Sequence, residues 1–304
     1  MAEFVIETSG LTKRYSDAIL AVDGLDLQVR RGEVYGFVGP NGAGKTTTLR
    51  MLVGLVRPTA GTARILGHRP GTKEAMARVG AMIEEPAFYP HLSGRDNLRV
   101  MALHAGVPTG RIDAVLEQVE LSGRAGDRFA TYSTGMKQRL GLAAALLKDP
   151  DVLILDEPTN GLDPQGIAEM RPLVRSLGRG HRTVLLSSHL MTEVEQICDR
   201  VGVISGGRLV AAGTLEELRG WPELRVRAEP VDRARELVAA LPYVAGVQAR
   251  DGVLVLATAP DHAGEINRRL VGSGVEVTEL TPVHPSLEEV FFGLTREKGG
   301  NHHG

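Results

Sequence analysis

The chain has 304 residues, enough for one large domain or two smaller ones, and its 42% hydrophobic and 24% charged content is that of an ordinary globular protein. Lys+Arg of 35 against Asp+Glu of 37 leaves no basic excess, which argues against a dedicated nucleic-acid binder. The one cysteine, Cys198, excludes an internal disulfide and suits a reducing cytoplasm.

Residues 4–8 read as a strand, and 21–29 alternate like a half-buried one. Between them Tyr15 could stack on a purine ring or could simply cover the edge of the core. Val34-Tyr35-Gly36-Phe37-Val38 is an apolar run that leads into Gly39-Pro40-Asn41-Gly42-Ala43-Gly44-Lys45-Thr46-Thr47. That stretch fits G-x-x-x-x-G-K-[ST] at every fixed position, and a helix opens behind it. In a strand, glycine loop and helix so ordered, backbone N–H groups and a helix N-terminus converge on an anion. Lys45 then supplies a point charge to the β- and γ-phosphates of a nucleoside triphosphate, and the Thr46 hydroxyl a ligand to Mg²⁺.

A short strand is expected at 61–67, and a helical block runs from 96 to about 147. Within it Ile112, Val115, Leu116 and Val119 share one helical face. Tyr132-Ser133-Thr134-Gly135-Met136 opens its last helix, so Ser133 and the N–H groups after it offer a second anion site. Residues 151–158 are a continuous apolar run closed by Asp156 and Glu157, as in a buried parallel strand with functional groups at its carboxyl end. Residues 183–189 repeat that design with His189 at the tip, and 201–211 form a hairpin around Gly206-Gly207. The character changes at 220–222, after which a β-α-β-β-α-β order predicts a small ferredoxin-like α+β domain over 220–298. An amphipathic segment at 286–294 and a disordered tail at 299–304 are expected to end the chain. No apolar run approaches the roughly 20 residues that span a bilayer, and the N-terminus has no signal-peptide core, so a cytosolic location is expected. His68, His91, His104 and His181 show no metal-ligand spacing.

Over roughly residues 4 to 218 these motifs stand in the order of the ATP-binding subunits of ABC transporters, and the chain resembles that family. Tyr15 matches the adenine-stacking aromatic, Gly39 to Thr46 the Walker A loop, and Tyr132 to Met136 the signature usually written LSGGQ. Leu153 to Glu157 matches the Walker B strand, Asn160 to Asp163 the D-loop, and His189 the switch histidine. The resemblance implies an α/β P-loop NTPase fold of ABC type, with a mixed sheet core and a helical subdomain, over residues 1–219. It implies that Asp156 holds Mg²⁺ through a water, that Glu157 activates or orients the attacking water, and that His189 bonds the γ-phosphate. It further implies a head-to-tail dimer with ATP at the interface, Ser133 and Gly135 facing the phosphate loop of the other subunit. The partner is then an ABC-2-like membrane permease, and the chain sits on the inner face of the membrane through it.

Two positions depart from the family pattern. Only Ser133 and Gly135 match the signature consensus, although Thr134 still offers a backbone N–H. Glu84 stands where the family has a glutamine that contacts Mg²⁺ and the membrane partner. A carboxylate only accepts hydrogen bonds, where an amide also donates. This glutamate resembles the loop of the bacitracin- and lantibiotic-type resistance transporters. The extra C-terminal region, with His284-Pro285-Ser286-Leu287-Glu288-Glu289, resembles that of drug-export ATPases, so it is expected to regulate or stabilise the dimer.

Overall fold

A computed structural model describes residues 3–84, 87–178, 180, 182–219, 223–250, 252–283 and 286–291. The sequence-based readings at His181, at 220–222, at His284-Pro285 and in the tail at 299–304 lie outside them, as does the end of the amphipathic segment at 286–294. The chain divides into two compact units, Met1–Gly213 and Thr214–Gly304.

The first unit opens with β1 (Phe4–Ser16), longer than the strand expected at 4–8. It stays continuous through register shifts, with Gly10 at φ 55°. Antiparallel to it run β2 (Ile19–Leu25) and β3 (Gln28–Arg30). Next come β4 (Val34–Val38), fully buried, and α1 (Lys45–Leu52). Strand β5 (Ala60–Ile65) returns to pair with β1, completing a four-stranded sheet. The turn α2 (Lys73–Met76) precedes β6 (Val79–Met82). Helices α3 (Gly94–Ala105), α4 (Arg111–Gln118) and α5 (Thr134–Leu146) then pack on one another as the helical insertion. The segment finishes with β7 (Val152–Asp156), α6 (Pro164–Leu177), β8 (Thr183–Ser188), α7 (Met191–Ile197), β9 (Arg200–Ser205) and β10 (Arg208–Thr214).

Six of these strands form a second sheet in the order β10-β9-β4-β8-β7-β6. The β4, β6, β7, β8 and β9 neighbours are parallel, so their carboxyl ends meet at one edge. Helices lie on this sheet: α1 against β7, α5 against β6 and α7 against β4. β4, β7 and β8 are buried along their whole lengths, which is why they read as unbroken apolar runs. Tyr35, Phe37, Leu49, Ile154, Leu185 and Ile204 knit the two sheets into one core. Each such side chain contributes about 1.5–3 kcal/mol by leaving water. Cys198 is buried there, and burial pushes its thiol pKa up.

The second unit begins at Thr214, so α8 (Leu215–Arg219) belongs to it, earlier than the change of composition at 220–222 suggests. A reciprocal cap opens α8: the Thr214 N–H donates to Glu217 Oε2 (2.8 Å) and the Glu217 N–H to Thr214 Oγ1 (3.1 Å). Then follow β11 (Glu223–Glu229), α9 (Val231–Ala239), β12 (Gly246–Arg250), β13 (Val253–Ala257), α10 (Ala263–Gly272) and β14 (Glu276–Val283). The strands make an antiparallel sheet in the order β12-β13-β11-β14. Leu224, Val226, Leu254, Leu256, Ile266 and Leu270 form its separate core.

Candidate functional site

At the end of β4 the loop curls around itself, with Gly42 at φ 78° and Gly44 at φ 105°. A Cβ at Gly39 would strike the carbonyl of Ile204, and one at Gly44 that of Ala21, so both positions need glycine for space. The Ala43 N–H donates to Pro40 O (3.2 Å), while Asn41 and Gly42 are exposed at the tip. Gly44 caps α1 without any side-chain bond, so no side chain competes for the helix's first N–H groups. Thr46 and Thr47 sit half-buried in its first turn.

The Lys45 ammonium is buried in this loop. It donates to Gly39 O (2.8 Å) and Pro40 O (3.2 Å) and lies 3.2 Å from Glu157 Oε1. Those three partners use its three donors. On the other side, Glu157 Oε2 lies 2.6 Å from His189 Nδ1 and accepts from the His189 N–H at 3.4 Å. One carboxylate thus holds the loop lysine and the histidine at the tip of β8. Glu157 adopts φ 49°, a left-handed conformation that costs a non-glycine residue about 1–2 kcal/mol.

Sheet register accounts for the meeting. Asp156 pairs with Ser187 across β7 and β8, and Val38 with Ser188 across β4 and β8. Glu157 and His189 therefore leave adjacent strands one and two residues beyond the ladder, beside the loop that leaves β4. Ser187, absent from the sequence-based set, joins the acids: its Oγ donates to Asp156 Oδ1 (2.6 Å) and accepts the Glu157 N–H (3.0 Å). The signal for it was a pair of serines closing a wholly apolar strand.

Among the described residues no three His, Cys, Asp or Glu side chains gather as a metal site. A cation here would find one carboxylate, Asp156, and one hydroxyl, Thr46. That donor set fits Mg²⁺, which keeps waters and takes phosphate oxygens. Glu84 also follows a strand of this edge, since Met82 pairs with Leu155. Its carboxylate is engaged by Arg50 of α1 and bonds neither Thr46 nor Asp156. Glu84 has φ 66°, a second left-handed non-glycine residue near the site.

Tyr15 lies near the end of β1, 48% exposed, with the Lys13 ammonium 5.1 Å from its ring centre. Ser133 caps α5, accepting the Met136 N–H at 3.3 Å. Tyr132 is buried, donates its hydroxyl to Arg124 O (2.8 Å), and has its pKa raised by burial. A Cβ on Gly135 would lie 3.8 Å from Leu162 and one on Gly161 3.7 Å from Thr134, so the loop after Glu157 runs beside the start of α5. No hydrogen bond or ion pair joins Ser133 or Gly135 to the phosphate loop within the chain. Hydrogen bonds and ion pairs thus bring together Lys45, Asp156, Glu157 and His189 of the sequence-based set; among the described residues none of these bonds reaches Tyr15, Glu84, Ser133 or Gly135.

A family described as ABC transporter matches residues 22–160. The bacitracin transport ATP-binding protein BcrA of Bacillus licheniformis is 39% identical over 95% of this chain and 97% of its own. The daunorubicin resistance ATP-binding protein DrrA3 of Streptomyces coeruleorubidus is 40% identical over 97% of each chain. The solved structure of cbiO1 from Clostridium perfringens, part of the ABC transporter complex cbiONQ, is 25% identical and superposes with a TM-score of 0.64 over 79% of this chain and 96% of that one. Identity at this level over nearly the whole length means that this chain belongs to the ATP-binding proteins of ABC transporters and is an ATP-hydrolysing subunit of that kind.

Proposed function

We propose that the chain binds MgATP in the Gly39 to Thr47 loop, pairs head-to-tail with a like subunit, and drives an ABC-2-like permease that exports an antibiotic peptide, a drug or a lipid-like compound. The contact of Glu157 with both Lys45 and His189 carries the catalytic part of this reading. A triphosphate competes with Glu157 for the Lys45 ammonium. Glu157 then orients or deprotonates the attacking water, and His189, held through Nδ1, presents Nε2 toward the γ-phosphate. Thr46 and Asp156 would hold Mg²⁺, which neutralises phosphate charge when bound. Tyr15 is exposed enough to stack on adenine. Ser133 and Gly135, remote from their own phosphate loop, would serve that of the partner subunit. The similarity to the bacitracin and daunorubicin proteins supports export as the direction and an amphiphilic antibiotic as the cargo. No described helix is long and apolar enough to cross a membrane, so docking on a permease at the inner face would supply the membrane association. The β-α-β-β-α-β order from β11 to β14 and its single antiparallel sheet support the reading of a ferredoxin-like unit, which would regulate or stabilise the dimer.

The test is steady-state ATPase of the purified chain. Glu157→Gln should lower kcat by about 10²- to 10⁴-fold while nucleotide binding persists. Turnover at the wild-type rate would remove Glu157 from the chemistry.

A further inference from the structure

We propose that Glu193 is a positioning residue for ATP hydrolysis: its buried carboxylate braces the loop that carries Glu157 against the loop that carries His189. The proposal rests on the reading of those two residues as catalytic.

Glu193 lies in the first turn of α7, 2% exposed. Its Oε2 accepts a 2.6 Å hydrogen bond from Thr159 Oγ1 and lies 3.4 Å from Ser188 Oγ, whose one proton is shared between this oxygen and Leu190 O, also at 3.4 Å. Thr159 is 5% exposed and stands two residues after Glu157; Ser188 is 1% exposed and immediately precedes His189. Ser188 Oγ also accepts the Leu190 N–H at 3.0 Å, so it holds both sides of His189. Thr159 in turn accepts the Leu162 N–H at its carbonyl (3.2 Å), and the Asn160 N–H donates to Glu157 O (3.0 Å). One carboxylate oxygen therefore connects the turn after β7 to the turn after β8.

The brace sits where the backbone has no other means of setting that distance. Ladder pairing between β7 and β8 ends at Asp156 and Ser187. Beyond it, side chains alone hold the two turns together, through Ser187, Glu157 and Glu193. Glu193 is also poorly suited to a purely stabilising role. Among the described residues it has no cationic partner, and its second oxygen, Oε1, is buried without a hydrogen-bond partner. Burying an unpaired carboxylate oxygen costs free energy that an apolar side chain of similar volume would not incur. An acid in the first turn of α7 gains from the helix dipole, but that gain does not require Thr159 or Ser188. The hydrogen bond from Thr159 is what the buried acid does here that a leucine could not.

The experiment measures ATPase of the full chain with MgATP for Thr159→Val, Thr159→Ser, Glu193→Leu, which keeps the volume and removes the acceptor, and the double variant Thr159→Val/Glu193→Leu, beside Glu157→Gln. Thr159→Val keeps the shape of threonine and removes the hydroxyl. It should lower kcat about tenfold or more, with the KM for ATP within about twofold and the melting temperature within a few degrees of wild type. Thr159→Ser, which restores the donor, should recover most of that loss. The double variant should lose no more than the worse single one, because both changes break the same bond. Wild-type kcat in Thr159→Val, or losses that multiply in the double variant, would overturn the brace. If Thr159→Val does not fold, equal kcat in Glu193→Leu and wild type overturns it. Full turnover in Glu157→Gln overturns instead the catalytic reading on which it stands.

Discussion

Lys45, Asp156, Glu157 and His189 come from the phosphate loop and the ends of β7 and β8, with more than 140 positions between the first and the last, yet each was recognisable from its own neighbours in sequence. What the neighbours did not reveal is how the four are held. Ser187 is fully buried and serves two masters, donating to Asp156 Oδ1 and accepting the Glu157 N–H. Ser187→Ala leaves a buried N–H and a buried carboxylate oxygen without that partner, so it should destabilise the fold by about 1–3 kcal/mol, read by urea unfolding. A change below about 0.5 kcal/mol would mean that the two acids find other partners. Glu84 poses the opposite case. Its identity was plain in the sequence, but its partner Arg50 was not, because an ion pair between residues 34 positions apart has no local signature. That pairing offsets the extra negative charge that glutamate brings in place of glutamine. Glu84→Gln should leave ATP binding by the isolated subunit within about twofold and change the stimulation of its ATPase by the permease. Unchanged stimulation would remove Glu84 from the coupling path.

Elements with buried strands or glycine loops were legible because their chemistry is unusual: β4 is apolar throughout, β7 is apolar up to Asp156, and Val184-Leu185-Leu186 fill the middle of β8, as a parallel sheet covered on both faces demands. Helix α6 shows how an element can carry good signals and still escape. No element was expected at residues 164–177, where Asp163 caps the helix by accepting the Gly166 N–H (2.8 Å), Pro164 opens it, and Met170, Leu173, Val174 and Leu177 share the buried face. An internal Pro172 interrupts the pattern. The join between α3 and the start of α5 was illegible for a different reason, since it depends on an absent side chain. A Cβ at Gly94 would meet the Tyr132 hydroxyl and lie 2.9 Å from its Cζ. Gly94→Ala should therefore cost about 1–3 kcal/mol in stability. Adding Tyr132→Phe, which removes the atom first struck, should recover part of that, although by itself it loses the bond to Arg124 O. Additive losses in this cycle would show that the two residues do not meet.

At the level of the whole chain, two hydrophobic clusters draw on separate stretches of sequence. One uses residues from Val5 to Leu209, the other residues from Leu224 to Leu280. All residues of the assembled cluster lie in the first. A chain ending after Arg219 should thus keep its ATP affinity within about threefold, measured by fluorescence titration of a nucleotide analogue. A folded truncation that binds no nucleotide would assign the second unit a part in the site. The break in composition at 220–222 announced two units, but the boundary at Thr214 depends on where β10 ends, which only the sheet pairing reveals.

Strand order in the six-stranded sheet bears on how the protein is made. β4, which leads into the phosphate loop, is flanked by β8 and β9, strands that follow it by some 150 residues. During synthesis the loop emerges early and must wait for both neighbours before its strand can be paired on both sides. A nascent chain that ends before Thr183 has the nucleotide motif but neither strand that flanks β4, and its apolar β4 is exposed to aggregation meanwhile; one that ends before Arg200 has β4 paired on one side only. Ribosome-bound chains ending before β9 should be the species that chaperones hold, and competence to bind ATP should appear abruptly as that strand is released.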